Sequence, residues 1–256
     1  MKPGLTILGS GTCVPRLDRS SCSVLLATGA SLVLLDAGPG TIRRLLEAGK
    51  GIDDVTHILL SHFHPDHSAD LVPFLFATRY GGSRRKKPVR LFGGPGFESF
   101  FRTLGAAYGD WLTSSRNLWS VHQLLPGCGP VCLPDFTLGF APVNHRPESL
   151  AYRIDTPDGS SIVYSGDTGY CQSLVDLARR CDLLICEASM PDEQKIDGHL
   201  TPALAGQLAT EAGAAKLVLT HFYPACDAVD IAKQCRATYK GPLVLAEDLS
   251  AVDLNA

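Results

Sequence analysis

The sequence predicts an α/β fold, and three observations carry that reading. Short apolar runs bounded by Gly, Ser or Pro read as strands, and segments of helical spacing lie between them. The second half of the chain repeats the rhythm of the first. No linker, low-complexity tract or composition break divides the 256 residues, so a single domain spanning 1–256 is expected, with strands and helices interleaved around it.

Each element has its own local reason. "LTILGS" (5–10), "CSVLLAT" (22–28) and "SLVLLDA" (31–37) are short and apolar, and the last two meet around Gly29-Ala30 as a hairpin. "TIRRLLEAGKG" (41–51) has helix spacing and a glycine stop. "THILLS" (56–61) reads as a strand, and 67–82 as a helix with Pro73 inside it. Beyond the middle of the chain, 161–167 reads as a strand, 171–181 as a helix and 182–189 as a strand. A helix over 201–214 carries proline in its first turn. The strand 216–222 follows, then a short helix and the strand "PLVLAED" (242–248).

Composition bounds the function. A hydrophobic content of 45% and a charged content of 19% describe an ordinary globular protein. The formal charge of −3 gives no global attraction for nucleic acid. "RRKK" (84–87) is the only basic run; it reads as a solvated loop, with a phosphate-facing patch as the second reading. No apolar run reaches the roughly 18 residues of a membrane span, and "MKPGLTILGSGT" lacks the pattern of a signal peptide. A cytoplasmic protein with no membrane partner is expected. The nine cysteines are scattered and form no Cys-x-x-Cys, which fits reduced thiols. Cys128 and Cys132 come nearest to a zinc pair but lack an evident second pair of ligands. "GSG" (9–11) is not a dinucleotide fingerprint, because Val14 stands where the third glycine should be.

"SHFHPDH" (61–67) places three of the chain's eight histidines and an aspartate within seven positions. His62 and His64 leave a strand end two apart, and Asp66 and His67 follow Pro65, which can start a helix. One pair can face one site while the other faces a neighbour. Imidazoles joined by a carboxylate suit divalent metals, and such crowding suits two of them about 3.5–4 Å apart. Further candidates stand at strand ends: His145 in "PVNHRP", Asp167 in "YSGDTGY" and His221 in "LTHFYP". Asp167 could bridge two metals. "ILLSHFHPD" (58–66) also echoes "LVLTHFYPA" (217–225), which would bring both histidine turns to one sheet edge.

"HFHPDH", a distant His, "SGDTG" and "LTHF" together resemble the metallo-β-lactamase fold, and its ribonuclease Z-like branch in particular. "GSGTCVPRLDRSSCSVLL", "LLDAGPGTIRRL", "NHRPESLAYRI" and "GHLTPALAGQLATEAGAAKLVLTHFYP" extend the likeness over nearly the whole chain. The resemblance implies a four-layer αββα sandwich with two divalent metal ions at one edge, zinc the first candidate and manganese the second. It implies one metal on His62, His64 and His145, and another on Asp66, His67 and His221, with Asp167 between them. Asp36 would orient a ligand. Asp66 would handle the nucleophile's proton, while His199, held by Glu187, would support the leaving group. The plainer reading of "GHLT" is that Thr201 caps a helix and His199 is incidental.

Ribonuclease Z carries a long tRNA-gripping arm between its third histidine and its bridging aspartate. Here His145 and Asp167 are 22 positions apart, and the segment reads as two strands around "TPDGS". The implied function is therefore a phosphodiesterase acting on a small phosphodiester or RNA, with pre-tRNA a doubtful substrate. The rivals are hydrolysis of a lactone, lactam or thioester on the same metal shell, and a non-catalytic RNA-binding or scaffold protein. The resemblance also allows a homodimer.

Overall fold

A computed structural model describes residues 4–82, 85, 88–115 and 117–254. Of the basic run 84–87, only Arg85 lies among the described residues.

The first half builds one sheet. β1 (Gly4–Gly9), β2 (Ser23–Thr28) and β3 (Ser31–Leu35) are antiparallel, the last two forming the expected hairpin. β4 (His57–Leu60), β5 (Val89–Gly93) and β6 (Trp119–Gln123) then add in parallel, after the helices α1 (Thr41–Glu47), α2 (Pro65–Ser68), α3 (Leu71–Tyr80), α4 (Phe97–Tyr108) and α5 (Trp111–Ser114). β4 alternates cleanly. Ile58 and Leu60 pack with α1, α3 and α4, whereas Leu59 joins the core shared with the second sheet.

The second half repeats the plan in the same order, antiparallel strands first and parallel strands after them. The strands β7 (Val131–Cys132), β8 (Thr137–Pro142), β9 (Leu150–Asp155) and β10 (Ser161–Tyr164) are antiparallel. β11 (Leu183–Glu187), β12 (Lys216–Thr220) and β13 (Leu243–Leu245) continue in parallel from β10. The helices α6 (Gln172–Leu177), α7 (Pro202–Ala212) and α8 (Ile231–Arg236) cover this sheet. β14 (Ala251–Val252) returns to pair with β1. Each sheet has seven strands, and the two share one apolar core with helices outside. This is the four-layer αββα sandwich.

Two expectations needed correction. The helix read over 67–82 is two helices, α2 and α3, because Asp70 turns aside: its N–H donates to the Ala37 carbonyl and its carboxylate accepts from the Ile42 N–H. Pro73 then falls in the first turn of α3, where a missing N–H costs nothing. The helix over 171–181 shortens to Gln172–Leu177, because the Arg180 N–H turns to the Ala212 carbonyl and Arg180 takes a left-handed φ of 51°. Cys128 and Cys132 are exposed and free, and no metal-binding group forms around them among the described residues.

Candidate metal centre

The site lies where the parallel strands of both sheets end. β4 runs into His62, and β12 runs into His221. Pro65 opens α2 and Pro224 opens a 3₁₀ turn, so each strand is followed by the same strand–histidine–proline–helix path. The two turns meet: His67 Nε2 lies 3.2 Å from His221 Nε2. Tight backbone contact holds the first turn in place. A Cβ on Gly38 would stand 1.9 Å from the Asp66 carbonyl oxygen, so only glycine fits beneath α2.

The seven residues singled out from the sequence converge. One set comprises His62, His64, His145 and Asp167; a second comprises Asp66, His67 and His221. Asp167 faces both: Oδ1 lies 3.2 Å from His67 Nε2 and 3.3 Å from His221 Nε2, and Oδ2 lies 3.8 Å from His62 Nε2. His145 Nε2 lies 3.2 Å from His64 Nδ1. His199 and Glu187 sit at the margin, His199 Nδ1 donating to Glu187 Oε1 at 2.9 Å. Thr201 does cap α7 through the Leu204 N–H, so the capping role and the His199–Glu187 contact coexist.

Hydrogen bonds behind the rings decide which nitrogens face inward. The Ser61 hydroxyl donates to Asp36 at 2.8 Å, so it can only accept from His62 Nδ1–H at 3.0 Å. The Ser189 hydroxyl likewise donates to Glu187, and so accepts from His221 Nδ1–H at 2.9 Å. His67 Nδ1–H donates to Asp36 at 2.7 Å, and His145 Nδ1–H to the Gly198 carbonyl at 3.1 Å. Gly198 can approach this closely because φ is +80° and there is no Cβ, which would stand 3.2 Å from His145 Nδ1. In the neutral form all four rings therefore present a bare Nε2 lone pair, the arrangement a metal ligand needs.

Charge makes the same demand. Asp36 (0% exposed), Asp66 (8%), Asp167 (3%) and Glu187 (1%) are all buried, and among the described residues no Lys or Arg pairs with any of them. Carboxylates buried with only histidines as charge partners are costly to keep ionised, and cations between them remove that cost. His62 Nε2 and Asp167 Oδ1 are buried without a hydrogen-bond partner, and both belong to the converging atoms. The donor set thus fits divalent metal ions.

The field is uneven. Burial holds the His62 pKa down to about 2, reinforced by His67. Burial also pushes His67 down, but Asp167 and Asp36 outweigh it and lift its pKa well above the usual range. Asp66 falls to about 2, the bond and charge of His221 and the charge of His67 overcoming its burial. His199 rises to about 8, because the Glu187 bond and charge exceed the effect of burial.

Two residues essential to this geometry were not singled out from the sequence. Ser189 joins Glu187 to His221, and Tyr164 donates to Asp36 at 2.7 Å from the facing sheet. The position of Ser189, two residues past the strand-end acid in "CEASM", was the available signal. Tyr164 offered none, because an aromatic residue in an apolar strand reads as core. Asp36 and His221 are non-glycine residues with φ of 59° and 62°, a conformation costing about 1–3 kcal/mol each that clusters at functional sites.

Comparison with known proteins agrees with this geometry. Residues 32–222 match the beta-lactamase superfamily domain. The uncharacterized protein Rv1339 of Mycobacterium tuberculosis is 34% identical over 242 residues, covering 93% of this chain and 88% of the relative. A ribonuclease Z of Mycobacterium bovis is 30% identical over 280 residues, covering 98% of both chains. The crystal structure of the short form of human tRNase Z superposes with a TM-score of 0.80 at 26% identity, covering 99% of this chain and 100% of that one. With its sandwich and its histidine–aspartate cluster in place, the chain belongs to the metallo-β-lactamase superfamily, in the ribonuclease Z-like branch.

Proposed function

We propose that the chain is a hydrolase of phosphodiesters that works with two divalent metal ions, zinc first and manganese second among the candidates. The observation that carries this reading is the His199–Glu187 pair beside the cluster, a charged hydrogen-bond donor that acyl chemistry on the same metal shell does not require. His62, His64 and His145 would hold one ion, Asp66, His67 and His221 the other, and Asp167 both. Bound there, such ions supply polarisation of a phosphoryl oxygen and activation of water.

The chain's own groups do the rest. Asp66, kept ionised, is an acceptor for the nucleophile's proton. His199 keeps Nδ1–H on Glu187 and so has Nε2 to offer a proton to the leaving oxygen. Glu187 is itself fixed by the Thr168 N–H at 2.7 Å and by the Ser189 N–H at 3.2 Å, which keeps the imidazole in one orientation.

Substrate size follows from what surrounds the centre. β9 and β10 join directly between His145 and Asp167, leaving no room for an arm. A cavity of about 470 Å³ opens beside Asp66, with Pro15, Pro39 and Pro65 in its walls. Its four arginines are already engaged: Arg16 pairs with Asp18 and Asp227, Arg43 with Glu47, Arg44 with Glu47 and Asp248, and Arg19 donates to the Ser10 hydroxyl and the Ala246 carbonyl. Such a cavity suits a small phosphodiester and offers little to a folded RNA, whose binding rests on phosphate neutralisation.

The test is a turnover comparison of the metal-loaded protein on a bis-aryl phosphate, cyclic nucleotides, pre-tRNA and a lactone. Small phosphodiesters should turn over, with pre-tRNA much slower. Efficient and accurate trimming of pre-tRNA would overturn the small-substrate reading. Turnover of the lactone alone would remove the phosphodiesterase.

A further inference from the structure

The opposite end of the sandwich holds a second polar crevice that the metal centre does not use. It has a volume of about 600 Å³ and is lined by His57, Arg85, Arg90, Ser120, His122 and Asp135, among others. That size falls within the range of small-molecule sites. His57 opens β4, the strand whose far end leads into His62, so the two sites lie at the two ends of one strand.

These polar residues stand where apolar ones are expected. Leu59 and Phe92 belong to the core between the sheets, and Val121 packs on the helix side. Alternation therefore puts His57, Arg90, Ser120 and His122 on the inner face. The register agrees, with His57 opposite Arg90 and Arg90 opposite Ser120. Four consecutive inner-face positions on three strands are thus polar at the very edge where the sandwich opens.

Two of them lack partners. His57 is 5% exposed, and its Nε2 is buried with no hydrogen bond. Its Nδ1 lies 2.8 Å from the Thr56 hydroxyl. That hydroxyl also lies 3.0 Å from the Leu32 carbonyl, which can accept it alongside the Thr56 N–H. In either tautomer Nε2 is left without a partner among the described residues, a donor when the Thr56 hydroxyl turns to Nδ1 and an acceptor when it turns to Leu32. Arg90 lies over the Phe92 ring at 5.6 Å, and among the described residues its guanidinium makes no ion pair or hydrogen bond. The lone acid of the crevice, Asp135, accepts from the Ser31 hydroxyl at 2.6 Å. Arg85 is braced by the Val55 and Ile52 carbonyls. Burial, and after it the positive charge of Arg90, lowers the pKa of both His57 and His122.

We infer that this crevice binds a phosphate-bearing anion, with Arg90 as the anchoring donor and the unpartnered Nε2 of His57 beside it. A guanidinium supplies a planar fork for phosphate oxygens, and the His57 ring adds a third donor in the tautomer that carries its proton on Nε2. His122 stacks on Phe92 at 4.9 Å, so the crevice also has aromatic surface beside the anion position. An aryl or heterocyclic ester would use that surface, and free phosphate would not.

The experiment is a titration of the metal-loaded protein with inorganic phosphate and with phenyl phosphate, followed through the ring resonances of His57 and His122. Saturable shifts of both rings are expected. In Arg90→Gln they should require roughly tenfold more anion or more, with metal content unchanged. Tighter binding of phenyl phosphate assigns an organic ester; equal binding assigns free phosphate. Anion effects confined to the histidines around Asp167 would overturn the inference, as would shifts of His57 that persist unchanged in Arg90→Gln. Because the wild-type titration needs no variant, it remains decisive if Arg90→Gln fails to fold.

Discussion

The turn after β4 and the turn after β12 are built alike and used differently. In both, a parallel strand ends on Ser or Thr, then His-Phe, and a proline opens a helical turn two residues later. In both, a buried carboxylate fixes a serine hydroxyl, which in turn fixes a histidine: Asp36–Ser61–His62 on one side, Glu187–Ser189–His221 on the other. Beyond this the halves part. Where the first turn has His64, Asp66 and His67, the second has Tyr223, Ala225 and Cys226. The backbone path and the serine relay are thus the shared scaffold. Chemistry is set by the side chains placed on it. The second half, with one histidine on its turn, contributes Glu187 and His199 from neighbouring segments instead.

The comparison can be broken where the halves join. Asp167→Ala removes the carboxylate that faces both sets and should lose at least one metal and nearly all turnover, as read by elemental analysis and rate. Normal metal content and rate would show that the halves do not share it. His199→Ala should cut phosphodiester turnover by roughly 10²-fold or more while both metals stay, since an acid is lost and no ligand of the two sets is touched. An unimpaired variant would remove the reason for choosing phosphate over acyl chemistry. Ser61→Ala and Ser189→Ala sharpen the comparison. Each should weaken metal binding by roughly 10–100-fold, the usual effect of losing a partner behind a ligand, and a chelator competition assay would read it. If one serine matters and the other does not, the relays are not equivalent. The smallest effect should come from Tyr223→Phe. Among the described residues its hydroxyl hydrogen-bonds only with Cys13, at 3.4 Å, so metal content should not change and stability should shift by less than about 0.5 kcal/mol.

Much of the centre was legible because it is local. "SHFHPDH" carries four ligand candidates on one turn, and strand ends locate Asp167 and His221. The echo between 58–66 and 217–225 does reflect two turns that meet at one edge. What stayed hidden depends on contacts distant in sequence. Tyr164 reaches Asp36 across the two sheets, and no local pattern distinguishes it from a core tyrosine. The stretch 89–142 holds β5 to β8, α4 and α5, none of which stands out in the sequence. Its strands run from two to six residues, too short for a period to stand out, although Trp119, Ser120, Val121 and His122 do alternate. Asp70 broke a helix for the sake of a loop some thirty residues earlier, which helical periodicity cannot register.

The central claim is that the two turns together form one centre for two metals. The most direct measurement is anomalous scattering from crystals of protein purified with zinc or manganese, combined with elemental analysis of the same preparation. Two ions per chain are expected, one among His62, His64 and His145, the other among Asp66, His67 and His221, with Asp167 between them. A metal-supplemented protein with no ion beside His62, or with a single ion that Asp167 does not touch, would contradict the account.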